Sequence, residues 1–256
     1  MTSRELKVAL EAAEAAGEVI RSLYQRNLAV HHKADRSPVT EADVRAEEVI
    51  REHLVRSFPG YGFYGEETGT QDMHAESVWL VDPIDGTKSF VRDCPFFSTQ
   101  IALMRGGRFV LGVSSAPAYG ELAWAEEGGG AHLNGRRIHV STVADLEQAI
   151  VSTGNLKTLA KSATWARFGK LIGRISRIRG YGDFVHYHLL ARGSIDVVIE
   201  SDVNILDIAA LAVIVREAGG TFTDLEGAEI GLATTSVLAT NGALHEAVDE
   251  ALHGQG

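Results

Sequence analysis

The chain has 256 residues, 45% of them hydrophobic, enough to bury a sizeable core in one large domain or two closely packed halves. Its formal net charge is -10 and its sequence pI is near 5.5, with no basic block, which argues against a nucleic-acid partner. Cys94 is the only cysteine, which excludes an intrachain disulfide and suits a reducing cytoplasm. No apolar run nears the ~20 residues that span a bilayer, so no membrane partner is expected, and the charged start is unlike a signal peptide.

Leu6, Ala9, Leu10, Ala13, Ala16, Val19, Ile20 and Leu23 recur at helical spacing, which predicts a long amphipathic helix over 4–26. Residues 28–31 suit a short strand. Thr40 is placed to cap a helix over 41–57, with Asp43 at its third position as in a capping box. The glycines of 60–69 predict a mobile loop or a tight turn around Gly65-Glu66-Glu67-Thr68. Val78-Trp79-Leu80-Val81 reads as a buried strand running into Asp82-Pro83-Ile84-Asp85. Pro83 has no N–H, so strand pairing is expected to stop there, and Asp85-Gly86-Thr87 has the look of a helix start.

Strands are expected at 97–104, 108–115 and 120–125, with a hairpin turn at Arg105-Gly106-Gly107 and a second at Asn134-Gly135, so 97–140 reads as an antiparallel meander. From 149 the pattern alternates. Strands at 149–153, 174–179, 195–199 and 236–240 interleave with helices at 157–172, 183–192, 205–218 and 241–253. Gly219-Gly220 stops the third of these helices. No linker divides the chain, so 1–256 reads as one domain with an N-terminal α+β half (1–148) and a C-terminal α/β half (149–256).

The chemistry is concentrated in acids. N–H groups at a helix start favour an anion, and Asp82 and Asp85 beside such a site make sense with a divalent cation between them and the anion. Taken alone, the same Asp-x-x-Asp also fits a capped, solvated loop. Asp207 lies among Ile205, Leu206, Ile208 and Ala209. If buried it needs a partner; otherwise it only complements the helix dipole. Glu66 and Glu67, taken alone, read as a solvated pair. Hard oxygen ligands suit Mg²⁺, and one Cys with no His cluster argues against zinc.

Four blocks resemble the inositol monophosphatase family: Gly65-Glu66-Glu67; Trp79 through Thr87; Asp207-Ile208-Ala209-Ala210 with Glu217-Ala218-Gly219-Gly220; and Val39-Thr40-Glu41-Ala42-Asp43, with Lys33 ahead of it. The resemblance covers nearly the whole chain. It implies an α-β-α-β-α layered α+β fold, a Mg²⁺-dependent phosphomonoesterase and a homodimer. It also implies that Glu66, Asp82 and the Ile84 carbonyl hold one ion, and that Asp82, Asp85 and Asp207 hold a second. Thr87, backed by Asp43, would orient the attacking water, and the N–H groups of Gly86 and Thr87 would hold the phosphate. Lys33 would neutralise charge near the metals or is a plain surface lysine.

Arg179-Gly180-Tyr181-Gly182-Asp183-Phe184 resembles the histidinol-phosphate branch, in which Asp183 and Glu200 would face the substrate. The other reading of Asp183 is a helix N-cap. Leu206 stands where the family commonly has Trp, and Ser201-Asp202-Val203-Asn204 departs from its pattern. An inositol or broad sugar-phosphate phosphatase is the alternative. A non-catalytic phosphate-binding regulator would lack a metal carboxylate, and none is missing.

Overall fold

The computed structural model describes residues 2–26, 28–33 and 37–254. α1 (Arg4–Leu23) and α2 (Glu41–Ser57) pack side by side, joined through β1 (His31–His32) and β2 (Pro38–Val39), which pair antiparallel. Next come β3 (Gly62–Gly65), β4 (Gly69–Gln71), β5 (Ser77–Asp85) and the single-turn α3 (Thr87–Phe90). β6 (Ser98–Arg105), β7 (Arg108–Ala116), β8 (Glu121–Glu126), β9 (Gly130–Leu133) and β10 (Arg136–Arg137) complete an eight-stranded sheet. Its order is β10-β9-β8-β7-β6-β5-β3-β4, antiparallel except where β3 lies parallel to β5.

The remainder comprises β11 (Ile150–Thr153), α4 (Trp165–Ile172), β12 (Arg177–Arg179), α5 (Asp183–Ala191) and β13 (Val197–Ser201). α6 (Ile205–Glu217), β14 (Thr221–Thr223), β15 (Ser236–Thr240) and α7 (His245–His253) follow. The second sheet runs β12-β11-β13-β15-β14, with β12, β11 and β13 parallel and β15 antiparallel to β13 and β14.

The layers follow from where each face is buried. One face of the large sheet packs under α1 and α2. The other face packs on α5 and α6, which also cover the small sheet. The far face of the small sheet lies under α4 and α7. The result is the expected α-β-α-β-α sandwich. α6 is apolar all round because it is the inner layer, touched from both sides.

Several local expectations need correction. Of the two readings of 60–69, the tight turn is the one found: residues 66–68 join the paired strands β3 and β4, which the sequence reading did not include. Helix 157–172 is two pieces, a 3-10 turn at Leu159–Lys161 and α4, broken where Ser162 Oγ accepts from the Thr164 N–H. The strand expected at 28–31 is displaced to His31–His32, the helix expected from 241 begins at His245, and β14 was not expected at all. Asp85 does not cap α3; the N-cap is Gly86, left-handed at φ 90, with no side-chain cap bond.

Strand pairing does not end at Pro83. It lapses after Asp82↔Gln100 and resumes at Asp85↔Ser98, so β5 carries one more residue than β6 over that interval. This is a β-bulge, and it reverses the alternation of side chains. Val78 and Leu80 face α6, whereas Trp79 and Val81 face α1 and α2. Without the extra residue Ile84 would face α6; instead it lies in the core under α1 and α2. Asp85 thereby joins Asp82 on the α6 side.

α6 comes close enough to meet them because β7 has Gly112 beneath it. A Cβ at 112 would lie 2.2 Å from the Ala210 carbonyl oxygen, so any side chain there pushes α6 off the sheet. Gly112→Ala is expected to lower stability by about 1–3 kcal/mol through overpacking, measured by denaturant unfolding.

Candidate metal centre and phosphate site

Carboxylate oxygens of Asp82, Asp85 and Asp207 lie within 4.8 Å of one another. Asp82 is 2% exposed, and its Oδ1 accepts the Ile84 N–H at 2.9 Å, which fixes its rotamer within the bulge. Ser98 on β6 donates weakly to Asp85 Oδ2 at 3.5 Å, and Gln100 Nε2 donates to Ser98 Oγ at 2.8 Å. Asp207 Oδ2 accepts the Asn204 N–H at 3.0 Å while Asn204 Oδ1 accepts the Leu206 N–H, so Asp207 completes a capping box at the start of α6. The two readings of Asp207 are not alternatives: it caps the helix and stands in the acidic cluster at once.

Burial, and then mutual repulsion, set the electrostatics. Asp82 is pushed well above the usual carboxylate range by burial and by the charges of Glu66, Asp85 and Asp207. Asp85 is raised likewise, by burial and by Asp207, Asp183, Glu200 and Glu66. Burial lifts Asp207 to about 7 despite its backbone hydrogen bond from Asn204. A group of hard oxygen donors that cannot all ionise unaided fits a divalent cation.

Glu66 stands at the edge of this group, outside the set of mutually close oxygens. Its Oε1 accepts from Lys33 Nζ at 2.8 Å, and Glu67 Oε1 accepts from the same ammonium at 2.7 Å. Burial works against the charge on Lys33, but the two glutamates outweigh it and raise its pKa. Lys33 is thus an ion-pair partner of the acidic loop. Glu47, on α2, is the residue sequence reasoning missed here. It is wholly buried, and its carboxylate accepts the N–H groups of Glu67 and Thr68 at 2.8 and 2.7 Å. A Cβ on Gly65 would lie 2.3 Å from Glu47 Oε1, so that glycine is where the turn and the carboxylate meet. The signal was present: Glu47 follows Asp43 by one helical turn, on the stripe of Ala42, Ala46 and Ile50.

Asp43 is 1% exposed and accepts three donors: the Thr40 N–H at 2.8 Å, the Thr40 hydroxyl at 2.7 Å and the Thr87 hydroxyl at 3.1 Å. The Thr87 hydroxyl lies equally 3.1 Å from the Ile84 carbonyl oxygen. The expected capping box of α2 therefore also orients Thr87 at the start of α3. Ser89 and Phe90 return their N–H groups to the Gly86 carbonyl, leaving the Gly86 and Thr87 N–H groups ahead of the first helical bond.

A hollow of about 40 Å³ adjoins the acidic cluster, lined by Asp85 and Asp207 on one side and by Asn155, Asp183, Tyr187 and Glu200 on the other. Glu200 is 4% exposed, and its oxygens are taken: Oε1 by the Asn155 N–H at 3.0 Å, Oε2 by the Tyr187 hydroxyl at 2.9 Å, with His186 Nε2 at 3.2 Å. Burial raises its pKa, but His186, Asn155 and Tyr187 outweigh burial and hold it below the usual range. Asp183 is the opposite case. It does not cap α5, whose N-cap is Gly182, and it sits at φ 45 with no hydrogen bond to its carboxylate among the described residues. Burial and Glu200 raise it to about 6, partly offset by His186 and Lys88. A larger hollow of about 900 Å³, between 158–164 and 224–236, is lined by none of these acids.

Asp183 also generates a stability prediction. Its folded pKa lies above the unfolded value of 3.8, so the native state holds the extra proton between the two. Stability from this group is therefore full below pH ~3.8, falls as pH rises to about 6 and is flat above. In metal-free protein, Asp183→Asn is expected to be more stable than the parent by roughly 1–3 kcal/mol at pH 8, a gain that vanishes near pH 4. Denaturant unfolding of both proteins across that range measures it.

The inositol monophosphatase family model matches residues 1–255. The histidinol-phosphatase of Mycobacterium tuberculosis is 41% identical over 254 residues, covering 97% of each chain. Inositol monophosphatase 3 of Solanum lycopersicum is 37% identical over 257 residues, covering 97% of this chain and 96% of its own. Among solved structures, the extragenic suppressor protein suhB of Bartonella henselae superposes with a TM-score of 0.89 at 33% identity, covering 98% of both chains.

Proposed function

The chain belongs to the inositol monophosphatase family of phosphoric monoester hydrolases, and on that premise we propose that it is a Mg²⁺-dependent histidinol-phosphate phosphatase. Glu66, Asp82 and the Ile84 carbonyl would hold one ion, and Asp82, Asp85 and Asp207 a second. When bound, Mg²⁺ supplies Lewis acidity, offsetting charge on the phosphoryl group and easing ionisation of water. The rest is the work of the chain. Thr87 donates its hydroxyl hydrogen to Asp43 and keeps lone pairs free, so it accepts from the attacking water and turns that oxygen toward phosphorus. Asp43 stays the acceptor because three donors converge on it. The Gly86 and Thr87 N–H groups receive the phosphate oxygens. No covalent phospho-enzyme is required.

The substrate reading rests on Asp183, an unsatisfied carboxylate in a small hollow beside the acidic cluster. Histidinol carries an amine and an imidazole, and a charge-assisted hydrogen bond from either would satisfy it. Glu200 adds negative charge to the same hollow, but each of its oxygens already accepts a hydrogen bond, whereas Asp183 accepts none, which makes Asp183 the freer acceptor for the substrate. A second reading, an inositol or broad sugar-phosphate phosphatase, is supported by the likeness to the Solanum enzyme and by the ability of Asp183 to accept from a hydroxyl. We further infer a homodimer working in the cytoplasm, in keeping with the family resemblance and the lone Cys94. Among the described residues no helix is long and apolar enough to cross a membrane.

Chelation is expected to abolish phosphate release and Mg²⁺ to restore it. Asp207→Asn, which keeps an acceptor for the cap, is expected to lower kcat on the order of 10²-fold with little change in melting temperature. Thr87→Ala should retain metal binding, measured by calorimetry, while turnover falls; a near-normal kcat would show that another group positions the water. The substrate is tested by Asp183→Asn. KM for histidinol phosphate should rise about tenfold or more while that for glycerol phosphate or inositol phosphate changes little. Equal losses on both esters, or a parent enzyme that prefers inositol phosphate, would overturn the substrate assignment.

A further inference from the structure

α5 carries Asp183 at its first position, and three consecutive buried residues in its middle tie it down: His186, Tyr187 and His188. His186 and Tyr187 reach Glu200 on β13, within the C-terminal part of the chain. His188 reaches the other way, into the large sheet. Its Nε2 lies 2.9 Å from Ser114 Oγ on β7, and its Nδ1 lies 2.9 Å from Glu121 Oε2 at the start of β8. Ser114 is wholly buried and His188 is 1% exposed. Arg192, just past α5, donates to the other oxygen of Glu121 at 2.7 Å. The neutral ring with its hydrogen on Nδ1 satisfies every partner: it donates to Glu121 and accepts from the Ser114 hydroxyl. The burial that disfavours charge on His188 agrees with this form.

None of these groups touches the acidic cluster, and Ser114 is too deep to meet a substrate, so the arrangement has no catalytic use of its own. Its effect lies along the helix. Phe184, next to Asp183 and one turn before His188, stacks edge-on against the His188 ring at 5.0 Å and against Tyr119 at 5.7 Å. Asp183 sits at φ 45, a conformation that persists only where the surroundings impose it. Apolar packing alone would let α5 slide or rotate slightly. Two hydrogen bonds from neighbouring strands to opposite sides of one ring fix both its position and its rotation.

We propose that His188 is a positioning residue for substrate recognition: hydrogen-bonded between β7 and β8, it sets the placement of α5 and so keeps the Asp183 carboxylate turned into the hollow beside the acidic cluster. This rests on the reading of Asp183 as the contact for a cationic ester.

The test is His188→Phe, which keeps a ring against Phe184 and removes both hydrogen bonds, assayed in the Mg²⁺-loaded enzyme beside Asp183→Asn. KM for histidinol phosphate is expected to rise about tenfold, since one charge-assisted bond spans at least that factor, with kcat and the glycerol phosphate KM within about twofold of the parent. Hydrogen exchange at the α5 amides should accelerate in the same variant. If His188→Phe is poorly folded, Ser114→Ala and Glu121→Ala each remove one bond and should give the same ester-selective rise at smaller size. A KM rise in Asp183→Asn without one in the His188, Ser114 or Glu121 variants overturns the positioning role and leaves the substrate assignment standing. Equal losses on both esters would also overturn it, marking His188 as a fold residue. No KM change in Asp183→Asn overturns the recognition role of Asp183, and the role of His188 with it.

Discussion

One extra residue in β5 decides where the charge goes. A regular strand would send Asp82 and Asp85 to opposite faces of the sheet, one toward α6 and one into the apolar layer under α1 and α2. The bulge at Pro83–Ile84 cancels that alternation, so that Ile84 takes the apolar side and both acids face α6. Proline suits the position because it gives the ladder no donor there, and its carbonyl still accepts the Thr99 hydroxyl at 2.8 Å. Everything else at the site is arranged around that pair. α6 approaches over Gly112 with Asp207, the β3–β4 turn brings Glu66, and α3 starts immediately after Asp85.

The supports are shared between folding and chemistry. Thr40 caps α2 and fixes Asp43, which in turn holds Thr87. Asn204 and Asp207 cap α6 by the same device and deliver a carboxylate to the cluster. Glu217, in the last turn of α6, accepts the N–H groups of Gly128 and Gly130 and so pins the far end of that helix to the β8–β9 turn. Helix ends have unsatisfied backbone groups that require polar partners in any case. Here those partners are also the groups that orient the site, which concentrates buried acids without leaving each one isolated.

What was legible in the sequence was local. The spacing of Leu6 to Leu23, the Thr40–Asp43 box, and the turns at Gly106-Gly107 and Asn134-Gly135 each depend on a few adjacent residues, and each is found in the fold. The acids of the central motif were visible for the same reason. Their convergence was not, because parity across a bulge depends on the partner strand. Asp207 looked like either a cap or a ligand because sequence spacing cannot show that a capping carboxylate also stands within 4.8 Å of two others. The alternative reading of Asp183 as a cap arose because it opens a helix, yet the N-cap of that helix is Gly182 and Asp183 itself sits at φ 45. Glu47 and His188 stayed hidden because the groups that satisfy them lie on β-turns and strands distant in sequence.

The contact between Gly112 and the backbone of α6 bears on the order in which the molecule matures. Asp82 and Asp85 are three residues apart in the chain, but Asp207 arrives from far downstream, with the docking of α6 over β7. A partly synthesised or partly folded chain, however complete its first sheet, lacks the third carboxylate of the cluster. The meeting of Asp207 with Asp82 and Asp85 closes a long loop, and contacts of that kind form late. A cation held at the finished cluster would favour the state in which the layers are joined, and so would favour the folded chain over the unfolded one.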